Sequence, residues 1–261
     1  MSIAQPASWF GRHEFLVRRF HSLTGLFPLT AYLCFHLATN AAVWDGPDTY
    51  QRRADQIHVV GPTTLLFMEW GIIFLPILFH GLAGLVIVTR GKRNMLHYPY
   101  EENIRYTFQR GSGVVAFAFI IWHVLQMHGW FRFQWWVDHV AKPLGGALFD
   151  PHQAPATAAA VLQSSPWMAG LYIVGIVACV YHLADGLWTF GITWGLWTSP
   201  HAQRVARAYC TAVGVGLIVV GLAAIYGMEV VRLPVHAEGA AATVRQSPDS
   251  SGNVEGTRRV P

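Results

Sequence analysis

Five apolar runs, at 24–44, 63–89, 111–136, 166–195 and 206–231, constrain this chain more than any other feature. A helix rises 1.5 Å per residue, so about 20 apolar residues cross the hydrocarbon of a bilayer. Each run is long enough, and the fourth is expected to tilt or to project into water. Lipid offers backbone groups no hydrogen-bond partner, which leaves helices or closed barrels as spanning structures. Barrel strands alternate inward and outward over about ten residues, and these runs do not alternate. The composition agrees: 53% of the 261 residues are hydrophobic and 12% charged, against about 25% charged in soluble domains. The expected fold is an all-α membrane protein of five transmembrane helices, the first four forming a bundle. Residues 1–23 form an N-terminal segment, 24–231 the five-helix domain and 232–261 a polar tail. The tail is rich in Ser, Gly, Pro and charge, and is expected to be disordered.

Orientation follows from Lys and Arg in the connections. One side receives Arg12, Arg18, Arg19, Arg90, Lys92, Arg93, Arg105, Arg110, Arg204 and Arg207; the other receives Arg52, Arg53, Arg132 and Lys142. The N-terminus is therefore expected in the cytoplasm and the C-terminus outside, across the inner membrane. The first 22 residues lack the charge order and cleavage pattern of a secretion signal. No basic block has the density or aromatic interleaving of a nucleic-acid patch. The outer connections "WDGPDTYQRRADQIHVVGP" and "VDHVAKPLGGALFDPHQAPATAAAVLQSSP" are long and punctuated by Gly and Pro, and the first is expected to form a cap. Cys34, Cys179 and Cys210 fall within apolar runs without a C-x-x-C or C-x-x-C-H pattern. That excludes a zinc ribbon and a c-type haem attachment, and they read as small buried hydrophobes.

The chain carries 13 histidines. His13, His58, His97, His152, His201 and His236 belong to connections or tails and read as surface residues, and His128 and His139 as interfacial ones. His36, His80, His123 and His182 differ: each sits within an apolar run, one on each of the first four spans. An ionisable group at that depth is costly and marks function. A zinc site would need all four at one point. A proton relay would want more acids than the spans' Glu69, Asp185 and Glu229. Two haems need only one imidazole above and one below each iron, and a four-helix bundle has a core for a flat ring. Counting residues from the span ends puts all four deep, without separating two tiers. Gly84 and Gly186 stand four residues after His80 and His182, while Gly25 and Gly113 precede His36 and His123 by about three turns. They make room for a ring, although glycine also serves close helix packing. Arg19, His21 and Ser22 at the entry of the first span, and Gln109 and Arg110 at the entry of the third, are candidates for the haem propionates. Interfacial anchoring explains the arginines equally well.

The strings "RRFHSLTGLFPLTAYLCFHL", "IIFLPILFHGLAG", "FQRGSGVVAFAFIIWHV" and "YHLADGLWTFGITWG", taken in order, resemble the cytochrome b membrane-anchor subunit of succinate:quinone oxidoreductases, the succinate dehydrogenases and fumarate reductases. The likeness is to the single-chain, five-span, di-haem form, and it covers about residues 10 to 230. It implies two haem b groups, the outer held by His36 and His123 and the inner by His80 and His182. It implies a flavoprotein subunit and an iron–sulfur subunit on the cytoplasmic face, electron passage to a quinone, menaquinone being usual for this form, and allows a higher oligomer of the complex. Asp45, Asp48, Asp55 and Glu69 are the candidates for the quinone site. Family members can carry a Lys or Arg late in the fourth span; this chain has Thr189 and Thr193, so Arg19, His21 or Arg110 would have to serve the inner propionates. Two other readings stand beside this one: a di-haem cytochrome b of another respiratory dehydrogenase, and a haem-free transporter.

Overall fold

The computed structural model describes residues 9–91 and 98–231. The tail from 232, Lys92, Arg93, His97 and His236 lie outside the described residues. All regular structure among the described residues is helical. Five helices are long and apolar enough to span: Gly11–Asp45, Pro62–Arg90, Glu101–Met127, Pro166–Thr193 and Pro200–Val230. With 27 to 35 residues each, they reach roughly 40–50 Å and stand beyond a hydrocarbon core of about 30 Å. This is a multi-pass membrane protein.

Their boundaries differ from the apolar runs in an instructive way. The third helix begins at Glu101 and ends at Met127, whereas the run lies at 111–136. Its polar first turns project past the apolar zone, and Glu101 and Glu102 complement the positive end of the helix dipole. Its end comes early because Gly129 and Trp130 adopt positive φ, 81° and 68°, which an α-helix cannot include. Arg105, Arg110, Arg204 and Arg207 therefore lie on helices, not in connections. The first helix likewise starts well before residue 24.

Glycine contacts fix how the helices run. A Cβ on Gly25 would meet the His80 ring, and one on Gly84 the His21 ring, so the first two spans are antiparallel. Gly113 faces His182 and Gly175 faces Phe119, which makes the third and fourth antiparallel. Gly214 meets Ala184, Gly221 meets both Ile176 and Leu37, and Gly227 meets Val43; the fifth thus opposes the fourth and parallels the first. Small residues let helices approach closely where lipid supplies no hydrophobic drive between them. The starts of the first, third and fifth spans share a basal end, and their ends share an apical end.

Two prolines shape the first pair of spans. Pro28 lies in a π-helical turn, Gly25–Leu29, and Pro76 follows a second one, Glu69–Phe74. Proline has no N–H to give, and a wider turn absorbs the break. Thr30 Oγ1 donates to the Gly25 carbonyl at 2.9 Å, which satisfies an oxygen within the disturbed stretch.

The bundle is closed at each end by different chemistry. Apically, the connections fold into helices Pro47–His58 and Ala154–Leu162. Tyr50, Ala54, Ala158, Val161 and Leu162 bury together with Val43, Tyr172, Ile225 and Met228. Gln51 ties the two connections by donating to the Pro151 carbonyl at 2.8 Å and accepting from the Ala154 N–H at 2.9 Å. Burial raises the Tyr50 phenol pKa, so it stays a neutral donor to Asn40 Oδ1 at 3.2 Å. Basally, Asp185 of the fourth span, 3% exposed, pairs with Arg105 of the third. The guanidiniums of Arg105 and Arg207 both lie over the Trp188 ring, at 5.0 and 4.7 Å, and Arg207 pairs with Glu101 at 2.7 Å. Three spans are thereby joined through one carboxylate and one indole.

Candidate cofactor cavity and its histidine pairs

A cavity of about 980 Å³ runs through the bundle, from Tyr50 and His58 at the apical cap to Arg18, Arg110 and Thr193 at the basal end. It stands at the top of the range of about 300–1,000 Å³ usual for one small ligand. His36, His80, His123 and His182 all line it.

The four histidines form two pairs. His36 and His123 have ring centroids 5.9 Å apart at an interplanar angle of 73°, towards the apical end. His80 and His182 are also 5.9 Å apart, at 82°, towards the basal end. The two tiers follow from helix direction: His123 lies four residues before the end of its span, and His80 and His182 lie on the descending helices. Among the described residues no three His, Cys, Asp or Glu gather as a metal-ion site. The imidazoles are arranged in twos.

Every Nδ1 of the four has a partner. His80 Nδ1 donates to the His21 carbonyl and His182 Nδ1 to the Gln109 carbonyl, both at 2.9 Å. A carbonyl only accepts, so these rings carry their proton on Nδ1 and present the Nε2 lone pair. His123 Nδ1 lies 3.1 Å from the Tyr172 hydroxyl, and His36 Nδ1 3.5 Å from that of Tyr32. Rings in edge contact commonly sit 4.5–7 Å apart, so spacing alone would fit a plain aromatic pair. The engaged Nδ1 atoms are what a ligating imidazole requires.

The basal pair is seated by a repeated local pattern. His21 and Gln109 each precede a glycine by four residues, Gly25 and Gly113. A Cβ at either glycine would lie 2.6 Å from the facing ring, that of His80 or of His182. His21 Nδ1 also returns a bond to the His80 carbonyl at 2.9 Å, and Gln109 Nε2 one to the His182 carbonyl at 3.1 Å. The two helix pairs are thus built alike around their histidines. Gly25 and Gly113 seat the histidines of neighbouring spans, not those further along their own.

The other sequence candidates separate. Arg19 donates to the Thr193 carbonyl at 2.9 Å and lies over Trp194, outside the cavity lining. Ser22 and Arg110 line the cavity; Ser22 Oγ accepts from Trp194 Nε1 at 3.1 Å and Arg110 lies over Tyr106 at 3.9 Å. Thr189 and Thr193 line it too, with hydroxyls given to carbonyls of their own helix. Arg18, not among the candidates, also lines it while paired with Glu14 at 2.6 Å. Asp45, Asp48 and Asp55 are exposed on the apical cap, and only Glu69 of the four acids reaches the cavity.

Glu69 stands in the second π-helical turn, 13% exposed, paired with Arg132 and 3.5 Å from His128 Nε2. Arg132 Nε donates to His128 Nε2 at 3.0 Å. Arginine never accepts, so His128 holds its proton on Nδ1. That Nδ1 and Glu69 Oε2 are buried and make no hydrogen bond within the described residues. His128 lines the cavity and packs against Phe74 at 5.3 Å; His58, read from sequence as a surface residue, lines the cavity as well. The acid stands some 60 residues before the imidazole and the arginine, which are four residues apart, and the left-handed turn at Gly129 and Trp130 brings Arg132 back to them.

No protein-family model matches the chain. The succinate dehydrogenase cytochrome b558 subunit of Bacillus subtilis (strain 168) is 33% identical over 218 residues, covering 83% of this chain and 98% of that relative. Likeness at that level over nearly the whole of the relative, on a five-span helical fold, places the chain in the family of succinate dehydrogenase cytochrome b membrane subunits.

Proposed function

We propose that this chain is the di-haem membrane anchor of a succinate:quinone oxidoreductase, with His36 and His123 holding one haem b and His80 and His182 the other. The observation that carries the reading is the pair of imidazole pairs along one cavity, each ring with its Nδ1 engaged. The residues fit the group. Imidazole nitrogens bond a transition metal at about 2 Å, which puts two ring centroids across one metal about 6 Å apart; both pairs stand at 5.9 Å. Glycines without side chains flank the basal rings, and apolar side chains complete the lining. Bound haem supplies a one-electron carrier at each tier, so that electrons pass between the iron–sulfur subunit and a membrane quinone, menaquinone by family likeness.

The chain's own residues would do the rest. His21 and Gln109 orient the basal ligands through their carbonyls, and Arg18, Ser22, Arg110, Thr189 and Thr193 offer polar contact at the basal end of the cavity. The positive-inside count puts that end in the cytoplasm of a cell's inner membrane, where the flavoprotein and iron–sulfur subunits would dock. At the apical end, His128 Nδ1–H can donate to a quinone oxygen while Glu69 Oε2 takes or gives a proton. Both atoms are buried and make no hydrogen bond within the described residues.

Purification in mild detergent with mass identification of the bound subunits tests the assignment. A flavoprotein and an iron–sulfur protein with succinate activity are expected. Co-purification with the subunits of a hydrogenase or formate dehydrogenase would contradict it.

A further inference from the structure

The two histidine pairs are oriented by different chemistry. At the basal pair both Nδ1 atoms meet main-chain carbonyls, those of His21 and Gln109. No substitution of a side chain removes such an acceptor, and its direction is fixed because a carbonyl cannot donate. At the apical pair both Nδ1 atoms meet tyrosine hydroxyls. A hydroxyl can donate or accept, so it does not by itself decide which imidazole nitrogen holds the proton.

For His123 the decision is made one residue further away. Tyr172 donates its only proton to Gln126 Oε1 at 2.8 Å. Its oxygen is then left to accept from His123 Nδ1–H at 3.1 Å. Gln126 is held in that sense by its amide nitrogen, which points to Met168 Sδ at 3.4 Å. Tyr172 and Gln126 are 8% and 6% exposed, away from competing water. Were the amide reversed, Tyr172 would donate to His123 Nδ1 and the proton would sit on Nε2, closing that nitrogen to a metal. The chain therefore runs His123 Nδ1–H to Tyr172 to Gln126 Oε1.

We infer that Tyr172 and Gln126 are positioning residues that set the tautomer and basicity of His123, and that they make the potential of the His36–His123 haem adjustable by side chains while that of the His80–His182 haem is fixed by the backbone. The inference rests on the di-haem reading. Its physical basis is that donation from Nδ1–H makes an imidazole a more basic ligand. A more basic ligand favours the ferric state over the ferrous and lowers the potential. The competing explanation is that Tyr172 and Gln126 only satisfy each other as buried polar groups. That would give them a role in stability and none in potential.

The intact complex carrying Tyr172→Phe, and separately Gln126→Leu, is titrated by optical redox potentiometry beside the unaltered complex. Tyr172→Phe removes the acceptor; Gln126→Leu removes the group that takes the Tyr172 proton, so the hydroxyl is no longer held as an acceptor and its bond from His123 Nδ1–H weakens. Both are expected to raise one midpoint potential and leave the other in place. A tenfold relative weakening of the ferric form, the lower end of such outer-shell effects, is about 59 mV for a one-electron couple. Combination with His182→Ala, which keeps only the His36–His123 haem, identifies which potential moved. Two unchanged potentials, a joint shift of both, or a fall would overturn the inference. If Tyr172→Phe does not accumulate, Gln126→Leu decides by the same criteria, since it leaves the hydroxyl beside His123. Absence of haem from the unaltered complex would refute the functional reading itself, whereas two haems with immobile potentials refute only the role given to Tyr172 and Gln126.

Discussion

Gly113→Ala is the smallest change that should empty one tier of the bundle and spare the other. A methyl group there would stand 2.6 Å from His182 Cε1 and 2.8 Å from Nδ1, where non-bonded carbons rest at about 3.5–4.0 Å. The ring must retreat by about 1 Å. Gln109 lies one turn earlier on the same helix, so a ring pushed off Gly113 is pushed off the Gln109 carbonyl as well. Its bond of 2.9 Å then lengthens past about 3.6 Å and ceases to be a hydrogen bond. The loss is about 0.5–1.5 kcal/mol for the bond and about 1–3 kcal/mol for overpacking. Alanine returns about 1 kcal/mol through helix propensity. Gly111→Ala isolates that gain, because nothing lies within 4 Å of a Cβ at Gly111. Haem content is read by the pyridine haemochromogen assay against protein. Gly111→Ala should keep two haems per chain and Gly113→Ala should fall towards one. Gly25→Ala, on another span, should lose the same haem, since its methyl would stand 2.6 Å from His80 Cε1. Retention of two haems with an unaltered spectrum in Gly113→Ala would refute the seating of His182 described above.

Three further outcomes follow from particular contacts. Asp185→Ala strands Arg105 beside Trp188 and should destabilise the chain by about 3–5 kcal/mol, the usual result of breaking a buried pair, read as a lowered thermal unfolding midpoint in detergent; an unmoved midpoint would remove the basal clasp from the account. Glu69→Gln should leave both haems bound while quinone reduction by the complex falls; normal quinone turnover would detach Glu69 from the quinone site. Replacing Cys34, Cys179 and Cys210 together by alanine should leave haem content unchanged, as all three are free and half-buried, and a drop would show that Cys179, which lines the cavity, does more than fill space.

The spans and the four deep histidines were legible because lipid leaves so few ways to satisfy a backbone or to tolerate an imidazole. Pairing was harder to derive from residue counts. The third run misplaced its helix by about two and a half turns at each end, because its polar first turns carry no apolar signal and the aromatic residues after the left-handed turn are as apolar as a helix. With the helix at Glu101–Met127, His123 lies near one end and the two tiers separate. The acceptors of His80 and His182 were not legible as such, since backbone carbonyls have no signature in side-chain chemistry. The matching His21-x-x-x-Gly25 and Gln109-x-x-x-Gly113 spacing was their one trace. Tyr172, Gln126, His128 and Arg132 act through contacts between distant segments, and no local pattern marks them. Among the acids, chain position near the apical end could not distinguish Glu69 from Asp45, Asp48 and Asp55. Burial beside the cavity does.

The central claim is that imidazoles clamp haem in two tiers. The direct measurement is the haem-to-protein ratio of the detergent-extracted complex, taken with His80→Ala and His182→Ala at its side. Two haems per chain are expected in the unaltered protein and one in each variant. A ratio of zero, or two haems surviving either substitution, would contradict it.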